Sequence, residues 1–387
     1  MDLAEELYRF NPWWETSYVP EFILRSRYME ILQKNLFNRD VLLITGLRRV
    51  GKTSLMKSFI GRLLQEIDPQ HILYVSLDSL SLEPFTISEI LRAYRKLFRL
   101  SLDTKVYLFF DEVAYRPHVH QELKNLYDRE KVKIFASSSS ASILRDTQAF
   151  LTGRARVVEV LPLDFEEFLD FKGWKPKVAE SYLLESYFEQ YMKMGGMPEY
   201  VLSGDVSYLD NLIDGVLYKD IVAFYRVRDL HLIKELFRLL MERAGKQVSI
   251  NKMARVLEVS PDTIKRYVEY FRETFLIYAI ERCGKLNERM KAPKKLFAAD
   301  VGIRNHLTGF RDKGAVFENM VFLKIKDRYP CYVYRDGIEL DFYFDDTLVE
   351  VKYGQELTGK QKEFFERFPA GKKMLIQGVQ GYRDLLR

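Results

Sequence analysis

Nine consecutive residues carry the first chemistry, Gly46-Leu47-Arg48-Arg49-Val50-Gly51-Lys52-Thr53-Ser54, which fit the pattern G-x-x-x-x-G-K-T/S without a gap. Glycines at that spacing let the backbone curl so that successive N–H groups face inward. The helix that follows adds the positive end of its dipole, and Lys52 adds a full cation. Gly46, Arg48, Arg49, Val50, Gly51, Lys52, Thr53 and Ser54 are thus expected to cradle the phosphates of ATP, with the Thr53 hydroxyl offered to Mg²⁺. A second signal follows about sixty residues later, where the apolar run Val106-Tyr107-Leu108-Phe109-Phe110 meets Asp111-Glu112. That is the Walker B arrangement: Asp111 assists the Mg²⁺ shell and Glu112 orients or deprotonates the attacking water. Two further candidates complete this set. Ser138, in the run Ser137 to Ser140 after an apolar strand, is a sensor of the γ-phosphate or a residue of a plain serine turn. Arg154, in Gly153-Arg154-Ala155-Arg156, is an arginine finger in cis, or in trans within a homo-oligomer, or a surface arginine.

A different chemistry is written near the C-terminus. Glu339-Leu340-Asp341-Phe342-Tyr343-Phe344 and Thr347-Leu348-Val349-Glu350-Val351-Lys352 flank Asp345-Asp346, a two-residue turn. Counting outward from that turn sets Phe344 opposite Thr347, Asp341 opposite Glu350 and Glu339 opposite Lys352. Period-2 alternation then puts Glu339, Asp341, Glu350 and Lys352 on one face, with Leu340, Phe342, Val349 and Val351 on the other. Facing carboxylates repel unless a cation sits between them. The hairpin therefore reads as a metal site, with Asp341 and Glu350 on Mg²⁺, Lys352 stabilising a phosphate, and Glu318 completing the set from a helix over 315–326. The competing reading is a two-faced hairpin whose charges face water.

These residues need elements to hold them. Apolar strands at 41–44, 71–78, 106–110 and 132–136 alternate with helical segments, which argues for a mostly parallel sheet covered on both faces. From 164 to 246 the pattern is helical, interrupted by the turn Gly195-Gly196-Met197-Pro198. Residues 247–282 read as a helix-turn-helix with a wing. A short helix spans 251–257. A second opens on Ser260 and Pro261, presents Lys265, Arg266 and Arg272 outward, and leads to the strand run 275–280.

The bulk properties narrow the class. A chain of 387 residues accommodates two or three domains. There is no run of eighteen apolar residues and no signal-peptide pattern, so a soluble, cytoplasmic protein with no membrane partner is expected. Two cysteines, Cys283 and Cys331, are too few for a disulfide framework or a zinc site, which fits a reducing compartment. The net charge of +5 is uneven: residues 231–310 carry sixteen Lys/Arg against nine Asp/Glu. That block suggests a polyanionic partner such as DNA, or a solvated face.

Taken together, the motifs resemble those of archaeal and bacterial AAA-type P-loop ATPases whose C-terminal half carries a restriction-endonuclease-like, PD-(D/E)xK domain. The likeness rests on the phosphate loop, on Phe110-Asp111-Glu112 and on Gly153-Arg154 with Pro162-Leu163-Asp164-Phe165-Glu166-Glu167-Phe168. It continues in Gly195-Gly196-Met197-Pro198-Glu199, in Lys291-Ala292-Pro293-Lys294 with Asp300-Val301-Gly302, and in Glu339-Leu340-Asp341 with Glu350-Val351-Lys352. One departure falls at the sensor, where Ala136-Ser137-Ser138-Ser139 stands in place of Thr-Gly-Ser-Ser. The resemblance implies an α/β AAA-type ATPase core over 1–165 and a helical lid over 166–245. A winged helix over 246–284 and a nuclease-like α/β domain over 285–387 complete it. Two functions stay open: ATP hydrolysis coupled to DNA binding and DNA cleavage, or an ATP-controlled switch contacting a protein partner through an inactive nuclease fold.

Overall fold

A computed structural model describes residues 2–141, 151 and 153–385. The chain divides into two compact units, Met1–Val160 and Leu161–Arg387.

In the first unit the lead-in helices α1 (Leu3–Phe10) and α2 (Ser26–Lys34) precede strand β1 (Val41–Thr45) and helix α3 (Lys52–Leu63). Then come β2 (Ile72–Ser76), α4 (Ile87–Leu97), β3 (Val106–Asp111), α5 (Val119–Arg129), β4 (Val132–Ser138) and β5 (Ala155–Glu159). The sheet order is β2-β3-β4-β1-β5 and every pairing is parallel. Such strands are covered on both faces, and β1 is buried at all five positions, which is why it reads as an unbroken apolar run. The aromatic lead-in protects the edge strand β2. Buried Asn11 donates to the Tyr74 carbonyl at 2.9 Å and accepts from the Tyr74 N–H at 2.6 Å, while the Trp14 indole donates to Ile72 O at 3.0 Å. An edge so occupied offers no template for another strand.

The second unit begins with helices α6 (Phe165–Lys172), α7 (Leu183–Met194), α8 (Pro198–Ser203) and α9 (Ser207–Gly215), then a π-helical segment over Val216–Ala223. Three of the stretches behind the family resemblance meet here. Asp164 and Glu167 form a capping box that starts α6. Leu163 N–H donates to Gly196 O at 2.7 Å, and a Cβ on Gly196 would lie 2.2 Å from Leu163 O. The buried Asp300 carboxylate accepts from Gly196 N–H at 2.6 Å and from Ile303 N–H at 2.9 Å. These motifs therefore meet as a packing node of the second unit.

Next come α10 (Leu230–Glu242), β6 (Lys246–Val248), α11 (Ile250–Val256), α12 (Pro261–Glu273), β7 (Ile277–Ile280), α13 (Leu286–Lys291) and β8 (Lys294–Ala298). The three strands form an antiparallel sheet of order β6-β8-β7. The expected boundary at 284/285 cuts through this sheet, because β8 is its central strand and lies beyond that point. A short strand following a charged stretch carries no pairing signal of its own.

The rest of the unit runs α14 (Val301–Thr308), α15 (Lys313–Ile325), β9 (Cys331–Arg335), β10 (Ile338–Phe344), β11 (Thr347–Lys352), α16 (Gly359–Arg367), β12 (Lys372–Gln377) and α17 (Gly378–Asp384). The sheet order is β12-β11-β10-β9, antiparallel except for the parallel β11–β12 pair. Phe317, Met320 and Val321 of α15 share one core with Phe342, Val349 and Val351. Phe364, Phe365 and Phe368 of and beyond α16 pack with Leu340, Leu348 and Val333.

Two expectations are corrected. Leu340 and Phe342 lie on opposite faces of the sheet, because the register of β10 against β9 shifts between Leu340 and Tyr343; a bulge there inserts a residue and breaks the alternation. The cysteines are also not two separate thiols: Cys283 and Cys331 form a disulfide across 48 residues. Beside it, Cys283 N–H donates to Tyr332 O at 2.7 Å and Tyr332 N–H to Glu281 O at 3.0 Å, tying the end of β7 to β9. With the two sulfurs paired, cysteine usage no longer points to a reducing compartment. Among the described residues no helix is long and apolar enough to cross a membrane.

Candidate functional site

The first unit sets its chemistry at the C-terminal ends of neighbouring strands. β1 ends in the phosphate loop, β3 in Asp111-Glu112, and β4, which lies between them, in the serine run. Gly46 is irreplaceable at its turn, since its φ is +134° and a Cβ would meet Val160 O at 2.2 Å. Gly51 takes φ +95° and N-caps α3, and among the described residues nothing lies within 4 Å of the place a Cβ would occupy. Buried Lys52 donates from Nζ to Gly46 O at 3.0 Å and Leu47 O at 3.1 Å, folded back along the loop it is to serve. Arg48 donates to the Tyr115 hydroxyl at 3.1 Å. Val50 is buried and its carbonyl accepts from buried Arg25 at 3.1 Å, which braces the loop from α2's N-terminus.

Asp111 is the hub. Its carboxylate accepts from Thr53 Oγ1 at 2.6 Å, from the Tyr74 hydroxyl at 2.8 Å and from Ser137 Oγ. Burial, then Asp111 itself, raises the Tyr74 hydroxyl far above its ordinary range, so it remains a donor. Glu112 sits at φ +52°, an uncommon backbone for a non-glycine residue, which turns its side chain out of the strand alternation. Glu112 Oε2 accepts from Ser139 Oγ at 3.0 Å and Ser139 N–H at 3.3 Å, while Glu112 N–H donates to Ser137 Oγ at 3.0 Å.

The serines on either side of the expected sensor, Ser138, are the ones that meet the acidic pair. Ser137 reaches Asp111 and Ser139 reaches Glu112, whereas the buried Ser138 hydroxyl donates to Ser140 O at 3.1 Å in its own turn. Consecutive strand residues point to opposite faces, and the middle serine points away. Arg154 stands at the other end of the sheet. Val41 N–H, at the start of β1, donates to Arg154 O at 2.8 Å, so a whole strand of roughly 15 Å separates it from the phosphate loop. Its guanidinium instead pairs with Asp128 at 3.4 Å, and a cis role is closed to it.

Fit to a nucleotide and Mg²⁺ follows from these donors. The loop presents a helix N-terminus and an ammonium, and a hydroxyl and a carboxylate stand 2.6 Å apart beside them, the donor pair a hard cation takes. Ser54 opens the first turn of α3 next to them.

The second unit gathers the C-terminal candidates, but around a residue that no motif singles out. The hairpin register is as expected at Phe344–Thr347 and Phe342–Val349. Beyond it the strands splay: Asp341 N–H donates to Glu350 Oε2 at 3.2 Å, and Val351 N–H donates to Asp341 Oδ2 at 2.9 Å. Lys352 Nζ pairs with Glu350 at 2.8 Å rather than facing Glu339, and Gln361 of α16 donates to Glu350 Oε1 at 2.7 Å. Burial, reinforced by Asp341, pushes the Glu350 carboxyl up to about 7.

Lys295 of β8 occupies the middle of this cluster. Its Nζ lies 2.5 Å from Glu318, 2.5 Å from Glu339 and 3.2 Å from Asp341, and its side chain is 1% exposed. Burial opposes its charge, but Glu318, Asp341 and Glu339 outweigh burial and hold its pKa well above the ordinary lysine value. Burial and Asp341 push the Glu318 carboxyl up. The cluster therefore does not fit Mg²⁺. An ion bound to these oxygens would stand roughly 4 Å from an ammonium, where two unit charges repel by about 4 kcal/mol at an effective dielectric of 20 and a divalent ion by about twice that. Among the described residues no group of three or more His, Cys, Asp or Glu is arranged to hold a metal ion. A signal for Lys295 does exist in the sequence: alternation along β8 places it on the same side as buried Phe297.

Residues 38–169 match the family of AAA domains, and residues 185–314 match a family described as a domain of unknown function, DUF8612. Two uncharacterized proteins of Methanocaldococcus jannaschii are similar along nearly the whole chain. One is 28% identical over 91% of this chain and 85% of its own, the other 25% identical over 92% and 84%. Among solved structures, a Walker-type ATPase of Pyrococcus abyssi superposes with a TM-score of 0.50 at 16% identity, covering 76% of this chain and 98% of its own. The first unit thus has the fold of an AAA-type P-loop ATPase.

Proposed function

We propose that this protein hydrolyses ATP in its first unit and engages duplex DNA through the three-helix segment of its second, with the C-terminal sheet acting as a scaffold. The observation that carries the reading is the hydrogen-bonded set Thr53–Asp111–Ser137–Glu112–Ser139 beside Lys52 and the phosphate loop. Thr53 and Asp111 would hold Mg²⁺, which neutralises phosphate charge when bound. Gly51 and the first turn of α3 bind the phosphates, and Lys52 exchanges its loop carbonyls for phosphate oxygens. Glu112, held by Ser139, is positioned to take a proton from water.

DNA contact is supported by geometry and by charge. The order of helices α10, α11 and α12 with the antiparallel sheet β6-β8-β7 supports a winged-helix reading. Ser260 caps α12 by accepting from Thr263 N–H at 3.1 Å, and Lys265 and Arg266 lie exposed on that helix, with Lys285, Lys291 and Lys294 exposed on the β7–β8 segment. The helix-and-strand order α15-β9-β10-β11-α16-β12 supports a nuclease-like fold, and folds of this kind serve as scaffolds as well as enzymes.

The deciding measurement for the first unit is steady-state ATP hydrolysis with nucleotide binding. Glu112→Gln should retain ATP and lose turnover by about 10²–10⁴-fold. A variant that keeps wild-type turnover rejects the assignment of the base. For DNA, Lys265→Ala with Arg266→Ala should weaken duplex binding and reduce the slope of log affinity against log salt by about one for each phosphate no longer neutralised. An unchanged slope would move the basic surface to a protein partner.

A further inference from the structure

We infer that Lys295 is a built-in cation that takes the place of a divalent metal, making the C-terminal acidic cluster a metal-free lock rather than a hydrolytic centre. A metal site needs carboxylate oxygens converging on an open point, with solvent or substrate completing the shell. Here Glu318, Glu339 and Asp341 converge from a helix and a strand, and the point of convergence holds the Lys295 ammonium.

An ammonium serves that position well, because it donates to Glu339 at 2.5 Å and Asp341 at 3.2 Å while its charge pairs with Glu318 at 2.5 Å. Further donors reach Glu339, Asp341 and the neighbouring Glu350. Glu339 accepts from Gln247 Nε2 at 2.6 Å, Asp341 from Val351 N–H at 2.9 Å, and Glu350 from Gln361 at 2.7 Å and Asp341 N–H at 3.2 Å. Glu339, Asp341 and Glu350 are thus held by donors of the protein itself, while Glu318 meets the Lys295 ammonium as an ion pair at 2.5 Å and its Oε1 accepts no hydrogen bond among the described residues.

The arrangement has a second consequence. Lys295 belongs to the three-stranded sheet and its partners Glu339 and Asp341 to the four-stranded sheet, while Gln247 of β6 reaches Glu339 from the same side as Lys295. The cluster thus joins the two sheets of this unit, alongside the Cys283–Cys331 disulfide and the Tyr332 backbone pair. A lysine inserted from one sheet into the acidic cluster of another is a reason for the two to move as one body.

The test is Mn²⁺ titration followed by electron paramagnetic resonance, on nucleotide-free full-length protein carrying Thr53→Ala and Asp111→Asn to remove the N-terminal cation ligands. The expected result is no bound ion at millimolar Mn²⁺. A bound ion that disappears on adding Asp341→Asn overturns the inference. In the same background Lys295→Met should create one Mn²⁺ site that Asp341→Asn abolishes, and Mg²⁺ should raise the melting temperature of the Lys295→Met protein but not of its parent. A folded Lys295→Met protein that binds no Mn²⁺ also overturns it, since something other than Lys295 would then be closing the site. Should Lys295→Met not fold, the titration of the parent protein decides alone.

Discussion

Each unit of this protein buries a lysine at the heart of its most charged site, and the two lysines keep very different company. Lys52 donates to the backbone carbonyls of Gly46 and Leu47, whereas Lys295 is surrounded by Glu318, Glu339 and Asp341. A neutral carbonyl is a partner that a phosphate can replace, because the anion offers the ammonium a stronger attraction. Three carboxylates are not, because any ligand that released the ammonium would have to compensate buried Asp341 and the partly buried Glu318 and Glu339 at once. What a buried cation is bonded to decides whether its site is open to a ligand or closed.

Substitutions should break the two sites in opposite ways. Lys295→Met should leave nucleotide binding intact and lower the stability of the second unit by about 3–5 kcal/mol, since removal of one partner leaves buried charge uncompensated. Lys52→Ala should abolish nucleotide binding while costing only about 1.5–3 kcal/mol of stability, the worth of a hydrogen bond involving a charged group. Calorimetry with and without ATP measures both. Equal losses of stability from the two variants would erase the contrast.

A smaller effect sharpens the comparison with the node around Asp300, where buried charge is met by backbone donors instead of a lysine. Burial raises the Asp300 carboxyl from its ordinary 3.8 to about 6, against the pull of the Gly196, Ile303 and Gly302 N–H groups. A carboxyl whose pKa is raised on folding binds its proton more tightly in the folded state. Its contribution to stability is therefore complete below pH 3.8 and is lost as pH rises through about 6. Asp300→Ala should lack this dependence, so its deficit against wild type should shrink between about pH 4 and pH 7 by at most roughly 3 kcal/mol. Denaturant titrations at a series of pH values give that curve.

Much of the first unit is legible in the amino-acid sequence. Gly46, Lys52, Thr53, Asp111 and Glu112 are placed by motifs whose spacing is dictated by one strand, one loop and one helix turn, all local in the chain. A run of four serines carries no parity: which of them faces Asp111 depends on the register of β4 between β1 and β3, and Ser137 does so while Ser138 bonds within its own turn. The place of Arg154 depends on the pairing of β5 beside β1, which sets it at the end of the sheet opposite the phosphates. In the hairpin, the turn and the Phe342–Val349 register are local and agree with the count outward from Asp345-Asp346. The bulge that moves Leu340 to the other face arises from pairing with β9, a strand the hairpin does not contain.

The sequence by itself determined the phosphate loop, the Walker B pair, the capped helix at Ser260 and the acidic residues of the hairpin, because each depends on residues adjacent in the chain. Only the tertiary structure decided what stands between those acids. Lys295 lies 46 residues from Asp341 and 23 from Glu318, and its partner strand is set by sheet pairing, so no local pattern could announce that the cation opposite the carboxylates was the protein's own. Short-range spacing specifies which groups are present; long-range packing specifies which of them neutralise one another.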